Sequence, residues 1–238
     1  MIEILNKVYT DKKENFYKDL KQKIQNEEKT FIITANPEIV ILAEKNAELE
    51  NIILSKDVHI VSDGIGIMKA SEELGLQISE KIPGVEIAEK LIRFASENSR
   101  SVYFYGSSQK TLDMMKEVVD SKYSDMVVSA MKNGYDFSED EIIKDIQEKR
   151  PDIVLVALGM PRQELFIGRL FSQIDKGVCI GVGGSLDVLS GSKKRAPRIF
   201  LTNNLEWLYR IIREPKRLRR FFKYNIKFYI KMKRLKRK

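Results

Sequence analysis

Short apolar runs alternate along this chain with stretches of helical periodicity, and that alternation constrains the fold more than any other feature. TFIIT at 30–34, the run VHIVS ending at Asp63, SVYFYG, DMVVSAM, DIVLVALG and GVCIGVGG read as strands. Several lack any polar interruption, as expected of strands covered on both faces, and the segments between them carry a helical period. An α/β fold follows: a parallel sheet with helices on both faces. Helices are expected over 11–27, 37–48, 65–74, 84–98, 108–122, 139–149 and 163–171, and residues 1–9 read as a strand or short hairpin. Asn36 before Pro37 suits the N-cap and first turn of a helix.

Charge divides the chain into a core, 1–194, and an appendage, 195–238. From Lys193 onward 18 lysines and arginines face two acids, Glu206 and Glu214, a net of +16; the preceding residues hold 24 basic and 32 acidic side chains, a net of −8. The appendage reads as two helical stretches broken near Pro215. In the second, Leu218, Phe221, Phe222, Phe228, Tyr229, Met232 and Leu235 recur at helical spacing among lysines and arginines. One apolar stripe in a basic helix suits an anionic membrane surface and argues against nucleic acid, which would want separate stacking platforms.

Several classes are disfavoured. One cysteine, Cys179, inside an apolar run, supports neither a disulfide framework nor a thiolate metal cluster. A single histidine, His59, inside a strand, argues against a Ser-His-Asp triad or a histidine zinc site. The first residues lack the order of a signal peptide, and no apolar run reaches the ~18 residues of a membrane span. A cytoplasmic protein, peripheral on the inner face of the membrane, is expected.

Chemistry is expected where the strands end, because the ligand crevice of such sheets lies at their carboxyl ends. Asp63 sits there beside Gly64 and Gly66, as a general base or as a cap of the next helix. Gly181-Val182-Gly183-Gly184-Ser185 and the turn at Gly106 could each present backbone N–H groups to a diphosphate. Gln163, in LGMPRQE, offers a donor and an acceptor suited to sugar hydroxyls, or sits in a solvated first helical turn. No Asp-x-Asp pair occurs to hold a metal ion on a diphosphate. Without a metal, Arg210, Arg213, Arg217, Arg219 and Arg220 of the appendage can balance that charge.

TANPE, SDGIG, GYDF, LGMPRQE, GVGGSLDVLSG, RAP and LEWLYRIIREPKRLRRF occur in this order. Their succession resembles the WecG/TagA/CpsF family of glycosyltransferases over nearly the whole chain. The resemblance implies a Rossmann-like core whose appendage folds over the active site. It also implies transfer of a sugar from a UDP-sugar, usually UDP-N-acetylmannosamine, to undecaprenyl-diphosphate-linked GlcNAc, in wall teichoic acid or related surface-polymer synthesis. Asp63 then becomes the base, Thr34, Asn36 and Gln163 pocket residues, and the appendage arginines diphosphate ligands. Lys81 stands where the family usually has an arginine, and Ser185 and Leu186 leave the nucleotide's side-chain contacts open. With Gly106, Gly181, Gly183, Gly184 and Asp187 these residues make up the expected substrate site. An inverting, metal-independent and cofactor-free transferase is the main expectation. The alternatives are another donor, such as UDP-glucose or an acidic mannosamine derivative, or a nucleotide- and membrane-binding module without catalysis. A mobile appendage would leave apolar surface open, favouring self-association away from the membrane, and bilayer contact could order its second helix and close the pocket.

Overall fold

The computed structural model describes residues 1–235. Six strands, β1 (Thr30–Ala35), β2 (Val58–Ser62), β3 (Ser101–Gly106), β4 (Val127–Lys132), β5 (Ile153–Ala157) and β6 (Val178–Gly181), form one parallel sheet in the order β2-β1-β6-β5-β3-β4. Before β1 come α1 (Ile2–Asn6) and α2 (Lys13–Gln25). The crossovers are α3 (Pro37–Ala43) with α4 (Ala47–Leu54), α5 (Ile65–Glu73) with α6 (Gly84–Glu97), α7 (Gln109–Lys122), α8 (Glu139–Lys149) and α9 (Arg162–Phe171). After β6 follow α10 (Ser185–Leu189), α11 (Arg198–Thr202), α12 (Glu206–Arg213) and α13 (Arg217–Leu235).

Successive side chains of a strand point to opposite faces, and here both faces are buried. Phe31, Ile33, Tyr103, Tyr105, Val154 and Val156 enter one core layer with α1, α3, α4, α5, α8 and α9. Ile32, Val102, Phe104, Ile153 and Leu155 enter the other with α2, α6, α7 and α10. Cys179 lies in the first layer, and burial pushes its thiol up to about 12, as befits a packing residue. His59 is half-buried on β2, and burial lowers its pKa.

Two local expectations are corrected. Within residues 1–9, Ile2–Asn6 form helix α1, and only an isolated bridge from Val8 to Ile60 of β2 follows it. Adjacent Ile4 and Leu5 are both fully buried in one layer, which a strand's alternation forbids. The helix expected over 37–48 is two helices: the Asn46 side chain accepts the Leu49 N–H at 3.1 Å and starts α4. Asn36 caps α3 as expected, accepting from Glu38 and Ile39.

The topology locates a crevice. Adjacent strands β3 and β5 send their connections in opposite directions, β3 outward to β4 and β5 inward to β6. Ligands of open α/β sheets bind outside the carboxyl ends of strands at such a switch point.

Candidate active site

Asp63 follows β2 at the carboxyl rim. Its backbone N–H donates to Ala35 at 2.9 Å, and its Oδ1 accepts the N–H of Gly84, the first residue of α6, at 2.9 Å. It does not cap the next helix, because α5 starts from Gly64 with no side-chain cap. A Cβ on Gly84 would lie 3.3 Å from Thr34 Cγ2, so Thr34, Gly84 and Asp63 pack together. Burial raises the Asp63 pKa above the ordinary carboxylate value; the Gly84 N–H and the cations Arg210 and Lys81 pull it down, and Glu206 pushes it up. A carboxylate of increased proton affinity at a strand tip can serve as a general base. Asn36 commits its side-chain oxygen to the α3 cap, and its amide N–H₂ has no acceptor among the described residues.

Gln163 is not in a solvated first turn: it is 3 % exposed. Its Oε1 accepts the Gly183 N–H at 3.0 Å and its Nε2 donates to Glu164 at 2.8 Å. Gly181 makes room, since a Cβ there would come within 2.5 Å of Gln163 Nε2. The glycine turn is therefore less open to a diphosphate than its sequence suggests. Val182, Gly183 and Ser185 spend their N–H groups on Val156, Gln163 and Val182, leaving that of Gly184 without a protein acceptor among the described residues.

At the switch point Gly106 has φ +106°, and a Cβ on it would lie 2.5 Å from the Ala157 carbonyl. Only glycine lets β3 turn this close to β5. Ser107 and Thr111 donate their hydroxyls to Asp187 Oδ1 at 3.1 and 3.3 Å, joining the turn after β3 to the segment after β6. Lys193 Nζ bridges Asp187 and Glu214, 3.0 Å from each, and Glu214 pairs in turn with Arg217. Beside them the loop after β4 is pinned by Asn133, whose Oδ1 accepts the N–H groups of Tyr135 and Asp136. Tyr135 stands 80 % exposed at that rim.

The five appendage arginines do not converge. Arg210 pairs with Glu206 and acts on Asp63, and Arg217 belongs to the Lys193 bridge. Arg220 pairs with Glu38 in the first turn of α3 and donates to the Met160 carbonyl at 3.0 Å. Arg219 lines a cleft of about 530 Å³ between α3 and α13, with Leu42, Met160 and Tyr224 among its other walls. Arg213 is exposed. Lys81 donates to Asn204 Oδ1 at 2.6 Å, so this lysine also fastens the appendage. Phe228 and Met232 enter the core layer of α3. The opposite side of α13 exposes Leu218, Phe222, Ile226, Tyr229 and Ile230. Among the described residues no helix is long and apolar enough to cross a membrane.

The sequence gives no role to Glu38, Thr111, Tyr135 or Lys193, and marks Ser107 only as part of the turn at Gly106. TANPE includes Glu38 and GYDF includes Tyr135, while Lys193 reads as the start of the basic segment.

Residues 2–238 match the profile of the Glycosyl transferase WecG/TagA/CpsF family. The chain belongs to this family. A protein of Staphylococcus aureus (strain MW2) is 36% identical over 216 residues, 90% of this chain and 84% of the relative. One of Bacillus spizizenii (strain W23) is 36% identical over 190 residues, 80% of this chain and 74% of the relative. Both relatives carry the name N-acetylglucosaminyldiphosphoundecaprenol N-acetyl-beta-D-mannosaminyltransferase. As a WecG/TagA/CpsF member with a six-stranded parallel sheet, the chain is a glycosyltransferase of α/β fold.

Proposed function

We propose that this glycosyltransferase moves N-acetylmannosamine from UDP-N-acetylmannosamine to the 4-hydroxyl of GlcNAc on undecaprenyl diphosphate, with inversion, in wall teichoic acid or a related surface polymer. The names of its relatives support the sugar and the acceptor. One observation carries the mechanism: a half-buried carboxyl, Asp63, held at a strand tip by the Gly84 N–H and of raised proton affinity, with Lys81 and Arg210 in its field.

Asp63 takes the proton of the acceptor hydroxyl as that oxygen attacks the anomeric carbon. The bond from that carbon to the diphosphate breaks, and the electron pair leaves with UDP. Positioned cations stabilise the charge that develops, without a divalent ion. The arrangement favours Arg210 and Lys81 near the reacting centre, with Arg220 at the rim by the Met160 carbonyl. The crevice at Gly106, Ser107 and Asp187 suits the nucleotide, and Tyr135 offers its base an exposed ring. Thr34, Asn36 and Gln163 suit the sugars.

The outward apolar stripe of α13, bordered by lysines and arginines, supports reversible attachment to an anionic leaflet, where the acceptor resides. Away from a membrane the same stripe favours self-association.

The test is UDP release from a panel of UDP-sugars with a short-chain prenyl-diphosphate-GlcNAc acceptor, with and without chelator. UDP-N-acetylmannosamine should react best, and chelator should have no effect. Preference for UDP-glucose or an acidic mannosamine would reassign the donor. UDP binding without release would leave a binding module, and rescue of a chelated enzyme by magnesium would overturn the charge account.

A further inference from the structure

Glu164 stands beside Gln163 in the first turn of α9 and is 2 % exposed. A carboxyl in that position ordinarily faces water, and burial without full hydrogen bonding is costly. Its Oε1 accepts the Gln163 amide at 2.8 Å, and its Oε2 is buried with no partner. An aliphatic side chain of similar volume would fill the space without that penalty. What the carboxyl does provide is a fixed acceptor for one amide proton.

The other end of the same amide is also held. Gln163 Oε1 accepts the Gly183 N–H at 3.0 Å, and the side chain lies against Gly181 too closely for any Cβ to intervene. An amide gripped by a donor at its oxygen and an acceptor at its nitrogen cannot flip. One Nε2 proton remains uncommitted, and its direction is set.

We propose that Glu164 is the positioning residue of Gln163: its carboxyl locks the amide so that Oε1 holds the glycine turn and the second Nε2 proton is presented to the substrate. This rests on the reading of Gln163 as a sugar contact. Glu164 itself touches no reacting atom. Like-charged Glu38 and oppositely charged Arg220, paired with each other, sit at the contact between α3 and the appendage, so appendage docking reaches the same carboxyl electrostatically.

The test uses the full chain with Glu164→Leu, Glu164→Gln, Gln163→Leu and the double leucine variant. It reads kcat and donor KM from UDP release, and the Gln163 side-chain amide signals by NMR. Glu164→Gln retains an oxygen acceptor and is expected to keep kcat within about threefold. Glu164→Leu should lower kcat by about 10²-fold with donor KM little changed. Its Gln163 amide signals should collapse toward the solvent-averaged position. The double variant should be no worse than the poorer single one, because both changes remove one coupled unit. Where leucine prevents folding, Glu164→Asp, which withdraws the acceptor by one methylene, carries the same expectation. Unperturbed amide signals in Glu164→Leu, or losses that multiply in the double variant, would overturn the proposal. A fully active Gln163→Leu would overturn the substrate reading of Gln163 and the catalytic part of this inference with it. An inactive Gln163→Leu beside a fully active Glu164→Leu would overturn the inference alone.

Discussion

Asp63 accepts the backbone N–H of Gly84 at 2.9 Å, tying the tip of β2 to the first turn of α6. The first N–H groups of a helix lack intrahelical partners and carry the positive end of its dipole. They orient the carboxylate, while burial around it raises its proton affinity. A carboxyl held at one oxygen keeps the other for a substrate proton.

Glu164 gives stability a pH dependence whose sign follows from its burial. Its carboxyl is pushed up from 4.5 to about 7, raised by burial and by Glu38 against the pull of the Gln163 amide and Arg220. A raised folded-state pKa contributes stability that is complete below the unfolded value and lost as pH rises through the folded one. Glu164→Gln removes that loss. Its stability relative to the unaltered protein should therefore improve between about pH 5 and pH 8, by at most ~3 kcal/mol. Urea unfolding of both proteins at the two pH values checks this; a difference independent of pH would contradict it.

Gly106→Ala should destabilise strongly, since the new Cβ meets the Ala157 carbonyl at 2.5 Å and φ is +106°. The expected cost is about 2 kcal/mol or more. Gly64→Ala, with nothing within 4 Å of its Cβ, is the control and should cost under ~1 kcal/mol. Thermal melts separate the two. UDP affinity should fall in the first as Ser107 moves away from Asp187.

The two sides of α13 should respond differently to polar substitution. Phe222, Ile226 and Ile230 are exposed, so changing all three to Ser should leave thermal unfolding nearly unaltered. Sedimentation with phosphatidylglycerol vesicles should weaken at least about tenfold, because each apolar side chain withdrawn from lipid contact loses ~1.5–3 kcal/mol of burial. Phe228→Ser, on the side packed against α3, should lower the melting temperature instead. Vesicle binding unaffected by the triple change would remove the stripe from membrane attachment.

Deleting the chain after Thr202 strips Arg210 from the field of Asp63, Arg220 from Glu38 and Asn204 from Lys81. It also uncovers the α3 surface on which Phe228 and Met232 lie. The shortened protein should bind UDP, melt earlier and transfer no sugar. Full transfer by it would place the appendage outside the chemistry.

Much of the fold was legible because each strand carries its own evidence: neighbours such as Phe31 and Ile32 are both apolar, so both faces had to be covered. Asn36-Pro37 marked a helix start by local chemistry alone. Asn46 holds the same kind of cap but sits inside a continuous helical pattern, so the break between α3 and α4 was hidden. The position of a rim residue was legible where the end of its own strand fixes it, as for Asp63. It was not where partners lie far apart in sequence: Arg220 finds Glu38 across the whole core, and Lys81 finds Asn204. Five arginines close in sequence read as one cluster, yet the turn between α12 and α13 separates two from three, and those on α13 meet different partners. The glycine turn looked open because a sequence does not reveal that Gln163 fills it.

Asp63 as the base is the centre of the proposed mechanism. Asp63→Asn keeps an oxygen acceptor for Gly84, so fold and UDP affinity should be retained. The decisive quantity is the rate of UDP release from UDP-N-acetylmannosamine with a prenyl-diphosphate-GlcNAc acceptor. Removing a general base should lower it by about 10²-fold or more; turnover by Asp63→Asn at the rate of the unaltered enzyme would contradict the mechanism.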